Sequence, residues 1–239
     1  MGLYAIGDIH GQLDMLNHAL GLIERDGGVD APIVFLGDYT DRGPDSQGVL
    51  RRLIDGVEAG RPWTPIKGNH DRMFYYFMRD PSQADHILRP DLTWLHPRLG
   101  GQTTLNSYGV ETEGRTPEQI HEDALKAVPA EHLAFLENLP LSHQTDDLMF
   151  VHAGVHPERH LDDQVEDDLI WIREPFLTDP VAYDRLIVHG HTVVDTPEHR
   201  GNRVNLDAGA GYGEPLIPAV FEGRTCWTLT QAGRVTLCE

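Results

Sequence analysis

Short apolar runs that stop at glycine beside a polar residue recur through the first third of the chain. Leu3-Tyr4-Ala5-Ile6 runs into Gly7-Asp8-Ile9-His10-Gly11, and Pro32-Ile33-Val34-Phe35-Leu36 into Gly37-Asp38-Tyr39-Thr40-Asp41-Arg42-Gly43. Thr64-Pro65-Ile66-Lys67 runs into Gly68-Asn69-His70-Asp71. Runs of this length bounded by turn residues read as buried strands. Between them the apolar positions switch to helical spacing. Leu13, Leu16, Leu20 and Ile23 predict one amphipathic helix, and Val49, Leu50, Leu53, Ile54 and Val57 a second, with Asp45 or Ser46 as N-cap. Met73, Phe74, Phe77 and Met78 give a third helix its apolar face. Strand, loop and helix in repetition predict a sheet whose carboxyl strand ends face one cleft, where ligand sites of open α/β sheets form.

From Pro81 to about Asn138 this rhythm stops. Helix-like stretches over Pro117–Val128 and Pro129–Asn138 predict a helical cap insertion over residues 81–138, packed near the cleft, and Gly100-Gly101 reads as the end of a helix rather than a hinge. Leu139–Gln144 and Leu148–Val151 then read as paired strands, the second ending at His152-Ala153-Gly154. Arg185–Val188 predicts another strand, ending at His189-Gly190-His191-Thr192. Short runs near Val204–Leu206, Ile217–Phe221, Cys226–Leu229 and Val235–Leu237 complete the second half. The expected fold class is α/β (α+β): a two-sheet β-sandwich with flanking helices, one domain over residues 1–239.

Composition narrows the function. Lys and Arg number 19 against 38 Asp and Glu, a formal net charge of -19. Duplex affinity rests largely on neutralising phosphates with Lys and Arg, so nucleic acid is not an expected partner. An anionic substrate would need a local positive field, which bound divalent cations supply. The two cysteines, Cys226 and Cys238, lack C-x-x-C spacing and are expected as reduced thiols. No charged leader or long apolar span is read, and Ile6 stands where a myristoylation signal requires Ser or Thr. The expectation is a cytoplasmic protein without a membrane partner.

Asp8, His10, Asp38, Asn69, His70, His152 and His191 all stand at predicted strand ends beside glycine or at the head of a helix. Carboxylate, amide and imidazole without thiolate suit manganese, iron or zinc. The number of donors fits two divalent ions, with Asp8 and His10 on one, Asn69, His152 and His191 on the other, and Asp38 on both. Two ions about 3.5 to 4 Å apart can clamp the attacking and leaving oxygens of an in-line displacement. The remaining histidines are read as core or surface residues. Gly209-Ala210-Gly211-Tyr212-Gly213 lacks a Walker lysine and reads as a turn between strands.

The motifs G-D-x-H-G, G-D-x-x-D-R-G, G-N-H-D, the later His152 and Gly190-His191-Thr192 resemble the calcineurin-like metallophosphoesterases, in particular the phosphoprotein phosphatase branch. Trp94, Gly100-Gly101, Leu169–Glu174 and Asn205–Gly209 are similar to bacterial and phage members. Departures are Leu99, where Asn is common, and Thr40, where an aliphatic residue is usual. The resemblance implies a four-layer sandwich and two metal ions, manganese foremost. It also implies His70 as general acid oriented by Asp41, and Arg42, Arg173 and Asn69 as substrate contacts. A metal-bridging hydroxide would be the nucleophile, without a covalent phosphoenzyme.

Three functions are weighed on this basis. The first is a phosphomonoesterase acting on phosphoserine or phosphothreonine in proteins. Asp41 supports it, because symmetrical dinucleoside tetraphosphate hydrolases, the second reading, often carry a small residue there. The third is an inactive metal- or phosphate-binding module, which the complete set of donors disfavours.

Overall fold

The computed structural model describes residues 2–238. Its first half repeats strand and helix three times: β1 (Leu3–Ile6), α1 (Leu13–Gly27), β2 (Ile33–Phe35), α2 (Ser46–Glu58), β3 (Trp63–Pro65) and α3 (Asn69–Arg79). Helices α4 (Gly101–Ser107), α5 (Pro117–Ala127) and α6 (Ala130–Glu137) follow. The second half holds β4 (Ser142–Gln144), β5 (Leu148–Val151), α7 (Glu166–Trp171), β6 (Leu186–His189), β7 (Glu198–His199) and β8 (Arg203–Asn205). Strands β9 (Ala219–Glu222), β10 (Thr225–Thr230) and β11 (Gly233–Thr236) end the chain.

Two mixed sheets stack face to face, in the orders β11-β10-β9-β1-β2-β3 and β4-β5-β6-β8-β7. β1, β2 and β3 run parallel, as do β5, β6 and β8. Alternation along each strand divides the core into layers. Ala5, Val34 and Leu36 meet Phe150, Leu186, Val188, Val204 and Phe221 between the sheets. Tyr4, Ile6, Ile33 and Phe35 point the other way, into a core shared with α1 to α6. Met149, Val151 and Ile187 back onto Leu169 and Ile170 of α7 and onto Phe176 beyond it. The central strands β1, β2, β5 and β6 are covered on both faces, so their sequences read as unbroken apolar runs.

Local chemistry sets the helix starts. The Asp45 side chain caps α2 by accepting from the Gly48 amide at 2.7 Å. Thr116 and Gln119 form a reciprocal capping box at the head of α5. Gly100 begins α4 rather than ending a helix: its φ of 88° is left-handed, and a Cβ there would stand 2.5 Å from the Arg42 nitrogen. The segment between α3 and α4 is irregular, yet it buries Asp85 and Trp94. Helices α4, α5 and α6 share the core of the helical layer with α2 and α3. No helix of the described residues is long and apolar enough to cross a membrane.

Candidate metal centre

The carboxyl ends of β1, β2 and β3 in one sheet, and of β5 and β6 in the other, converge. They bring Asp8, His10, Asp38, Asn69, His70, His152 and His191 together, each at most 8% exposed. The turns that do this are strained. Five non-glycine residues have positive φ among the described residues: His10, Asp38, Asp41, Arg42 and His191, all of them in these motifs. A left-handed conformation costs a residue with a Cβ on the order of 1 to 2 kcal/mol, and such strain gathers at functional sites. The first two motifs are locked by contact, since a Cβ on Gly43 would fall 2.0 Å from the His10 carbonyl oxygen.

Backbone carbonyls fix the imidazole tautomers. His10 Nδ1 donates to the Thr40 carbonyl at 2.7 Å and His152 Nδ1 to the Leu36 carbonyl at 2.8 Å. Burial pushes the pKa of His10, His152 and His191 below the ordinary imidazole value, so all three are neutral at pH 7. With Nδ1 protonated, the lone pair of each of the first two rings sits on Nε2 and points at Asp38, whose carboxylate lies 3.5 Å from His10 Nε2 and 3.4 Å from His152 Nε2. Burial alone would raise the Asp38 pKa. The positive field that the surrounding imidazoles, His152 first, exert when protonated outweighs it and lowers the carboxyl below its ordinary range.

These donors fit metal cations on three counts. The His152 Nε2 lone pair faces Asn69 Oδ1 at 2.9 Å, two acceptors that need a positive charge between them. His191 Nε2 is buried without a hydrogen-bond partner among the described residues. The Arg42 guanidinium reaches into the centre and donates to His10 Nε2 at 2.5 Å and His70 Nε2 at 3.1 Å, a positive charge among metal-binding lone pairs. Two groups of possible ligands share Asp38: His10 with Asp38 and His70, and Asp38 with His152 and His191. The second includes two of the expected partners. In the first, His70 stands where Asp8 was expected. Asp8 Oδ2 lies 4.0 Å from His10 Nε2, while both Asp8 oxygens accept from the His191 amide at 3.1 Å. Burial, Asp207 and Asp38 raise the Asp8 pKa well above the usual range, so a cation binding here would displace a proton.

Asp41 is wholly engaged. Its Oδ2 accepts from His70 Nδ1 at 2.6 Å and from Trp94 Nε1 at 2.8 Å, and its Oδ1 from the Thr104 hydroxyl at 2.8 Å. No surface of it faces a substrate, because the residue is fully buried. Arg173 lies at the rim, within the fields of Asp38 and Asp8, and its guanidinium makes no hydrogen bond or ion pair among the described residues.

Several contributors were given no individual role by the sequence. Asp71 accepts from the backbone amides of Asp38 and Tyr39 at 2.9 Å and of Gly68 at 3.0 Å, which pins the second motif to the third. Its place after His70 was the only cue. Thr104 had no cue, since it reaches Asp41 across 63 residues. Asp207, buried beside Asp8, was visible only as a family-like residue. Trp171 sets its ring edge-on to His191 at 5.9 Å.

Comparison with known proteins agrees with this arrangement. The sequence profile of the calcineurin-like phosphoesterases matches residues 1–208. The chain belongs to that family. A protein from Anoxybacillus flavithermus, named bis(5'-nucleosyl)-tetraphosphatase PrpE [asymmetrical], is 27% identical over 238 residues, covering 88% of this chain and 86% of that protein. A symmetrical bis(5'-nucleosyl)-tetraphosphatase from Acidovorax sp. is 41% identical over 106 residues, 40% of this chain and 36% of that protein. Among solved structures, one described as a candidate diadenosine tetraphosphatase superposes with a TM-score of 0.68 at 21% identity, covering 95% of this chain and 92% of that one. A cold-active protein tyrosine phosphatase gives 0.65 at 16% identity, with 100% and 79% covered. The family's activity is phosphoester hydrolysis with divalent metals.

Proposed function

We propose that this metallophosphoesterase hydrolyses dinucleoside polyphosphates, cutting a phosphoanhydride bond. The observation that carries this reading is the match along nearly the whole chain to relatives named as bis(5'-nucleosyl)-tetraphosphatases. The likeness to protein phosphatases is one of fold, at 16% identity. Asp41 favoured a protein phosphatase because symmetrical dinucleoside tetraphosphate hydrolases often carry a small residue there. Its carboxylate bonds to His70, Trp94 and Thr104 and touches no substrate, so the match along the chain weighs more.

In this account Asp38 would be common to two divalent-cation sites. Asp8 and His10 would serve one, and Asn69, His152 and His191 the other, with manganese the first choice. When bound, the ions polarise the phosphoryl group and lower the pKa of an attacking water. Arg42 and Arg173 would hold phosphoryl oxygens, a task suited to the guanidinium fork. His70 delivers a proton to the leaving oxygen from Nε2, and Asp41 keeps Nδ1 protonated and the ring in place. A chain of net charge -19 would repel a polyphosphate. The cations and two arginines supply the attraction that the rest of the molecule lacks.

Steady-state kcat/KM of manganese-loaded protein on diadenosine tetraphosphate and on a phosphoserine peptide tests the reading. The dinucleotide is expected to win by on the order of 100-fold or more, because a site built for nucleoside and polyphosphate loses those contacts with a peptide. A peptide preference of that size would restore the monoesterase reading.

A further inference from the structure

Tyr212 is the one exposed Phe, Tyr or Trp among the described residues, 66% accessible, and it stands at the edge of the metal centre. Its place is fixed by a tight turn. Ala210–Tyr212 forms a single 3-10 turn bounded by Gly209 at φ 88° and Gly213 at φ 93°, closed by Tyr212 N donating to the Gly209 carbonyl at 2.8 Å and Gly213 N to the Ala210 carbonyl at 3.0 Å. Ala210 is anchored in the helical-layer core, and Asp207 Oδ1 accepts from the Gly209 amide at 3.0 Å. Gly211 is pressed against the site: a Cβ there would come within 2.6 Å of His10 Cδ2 and 3.1 Å of Arg42 Cδ. The ring that follows lies over the Arg42 guanidinium at 4.9 Å and within the electrostatic reach of Arg173.

A large ring set in water on a tight turn beside two guanidiniums buries little of its own surface, so folding does not explain it. We propose that Tyr212 is a stacking platform for the nucleobase of the nucleotide whose phosphorus is attacked. This rests on the dinucleotide reading above and adds to it. One face of the phenol ring lies against Arg42, and a purine can stack on the other. The short distance from Arg42 to the ring also says which nucleotide is read. A phosphoryl group on Arg42 has its own nucleoside within reach of Tyr212, which places attack at the phosphorus carrying that nucleoside and makes a nucleoside monophosphate one product.

Calorimetric titration of manganese-loaded protein with AMP and with ribose 5-phosphate separates base from phosphate. The wild type is expected to bind AMP roughly 5- to 100-fold more tightly, the range for one base on one aromatic ring. Tyr212→Ala should bring the two ligands to within about twofold, whereas Tyr212→Phe and Tyr212→Trp should keep the preference. Because the side chain is exposed, none of these variants removes core packing. A full AMP preference in Tyr212→Ala would overturn the platform and leave the nucleotide reading standing. Equal affinity for AMP and ribose 5-phosphate in the wild type would overturn both.

Discussion

Replacing Asp41 with Asn tests how the proton donor is held. The carboxylate accepts three hydrogen bonds, from His70 Nδ1, Trp94 Nε1 and the Thr104 hydroxyl, at 2.6 to 2.8 Å. An amide keeps one acceptor oxygen, presents an NH2 to the remaining donors and carries no charge. A hydrogen bond to a charged group contributes about 1.5 to 3 kcal/mol against about 1 for a neutral one, so two weakened bonds amount to about 1 to 4 kcal/mol. Expressed wholly in the transition state, that is about 5- to 900-fold in rate. The loss should depend on the leaving group. Proton donation matters most for a poor one, so kcat/KM should fall by that factor on an alkyl phosphate and by less than about threefold on p-nitrophenyl phosphate. Equal losses on both esters would refute the reasoning and mean that Asp41 supports the fold or the metals rather than the acid.

Other consequences are open to direct measurement. Asp38→Asn removes the carboxylate shared by both ligand groups, so manganese calorimetry should show two sites in the wild type and at most one, weakened by at least about 100-fold, in the variant; two unchanged sites would contradict the sharing. Gly56→Ala in α2 should destabilise by about 1 to 3 kcal/mol, although alanine is the better helix former, because its Cβ would land 1.9 Å from the buried Trp63 ring; a raised melting temperature would refute this. Burial pushes the Cys226 thiol up to about 11 while Cys238 is exposed, so a thiol reagent near pH 8 should find one group in the native protein and two in denaturant. Burial also lowers the pKa of His10, His132, His143, His152, His189 and His191, and these outnumber the buried carboxylates it raises, Asp8, Asp71 and Asp207. Below about pH 6.5 the unfolded chain therefore takes up protons that the folded protein refuses, and the urea midpoint of metal-free protein should fall as the pH drops from about 6.5. A midpoint that stays flat or rises would contradict it.

The motifs were legible because each is contiguous: an apolar strand, a glycine turn and a donor within a few residues. Asp8, His10, Asp38, Asn69, His70, His152 and His191 could be collected on that basis before any contact was known. What orients them was not legible. The carbonyls of Thr40 and Leu36 select the tautomers of His10 and His152, and a backbone oxygen leaves no mark in a sequence. Thr104 and Asp71 act through distant hydrogen bonds. The bidentate pair of buried Arg72 with Asp85 and its bond to Asp167 join α3, the irregular segment and α7, from positions with no shared periodicity. Strand limits moved for a similar reason. Leu139, Pro140 and Leu141 read as part of a strand, but β4 begins at Ser142, and the Pro140 carbonyl accepts from Lys67 instead. Tyr212 was passed over as part of a glycine-rich turn, since its interest lies in what Arg42 places beneath it.

The most direct test of the account is the identity of the products when manganese-loaded protein acts on diadenosine tetraphosphate in oxygen-18 water. Attack at the nucleoside-bearing phosphorus predicts ATP and AMP in equal amounts, with one labelled oxygen carried by AMP. Two molecules of ADP would contradict the placement of the nucleoside beside Arg42, and an intact dinucleotide under conditions that dephosphorylate a phosphoserine peptide would contradict the proposed function.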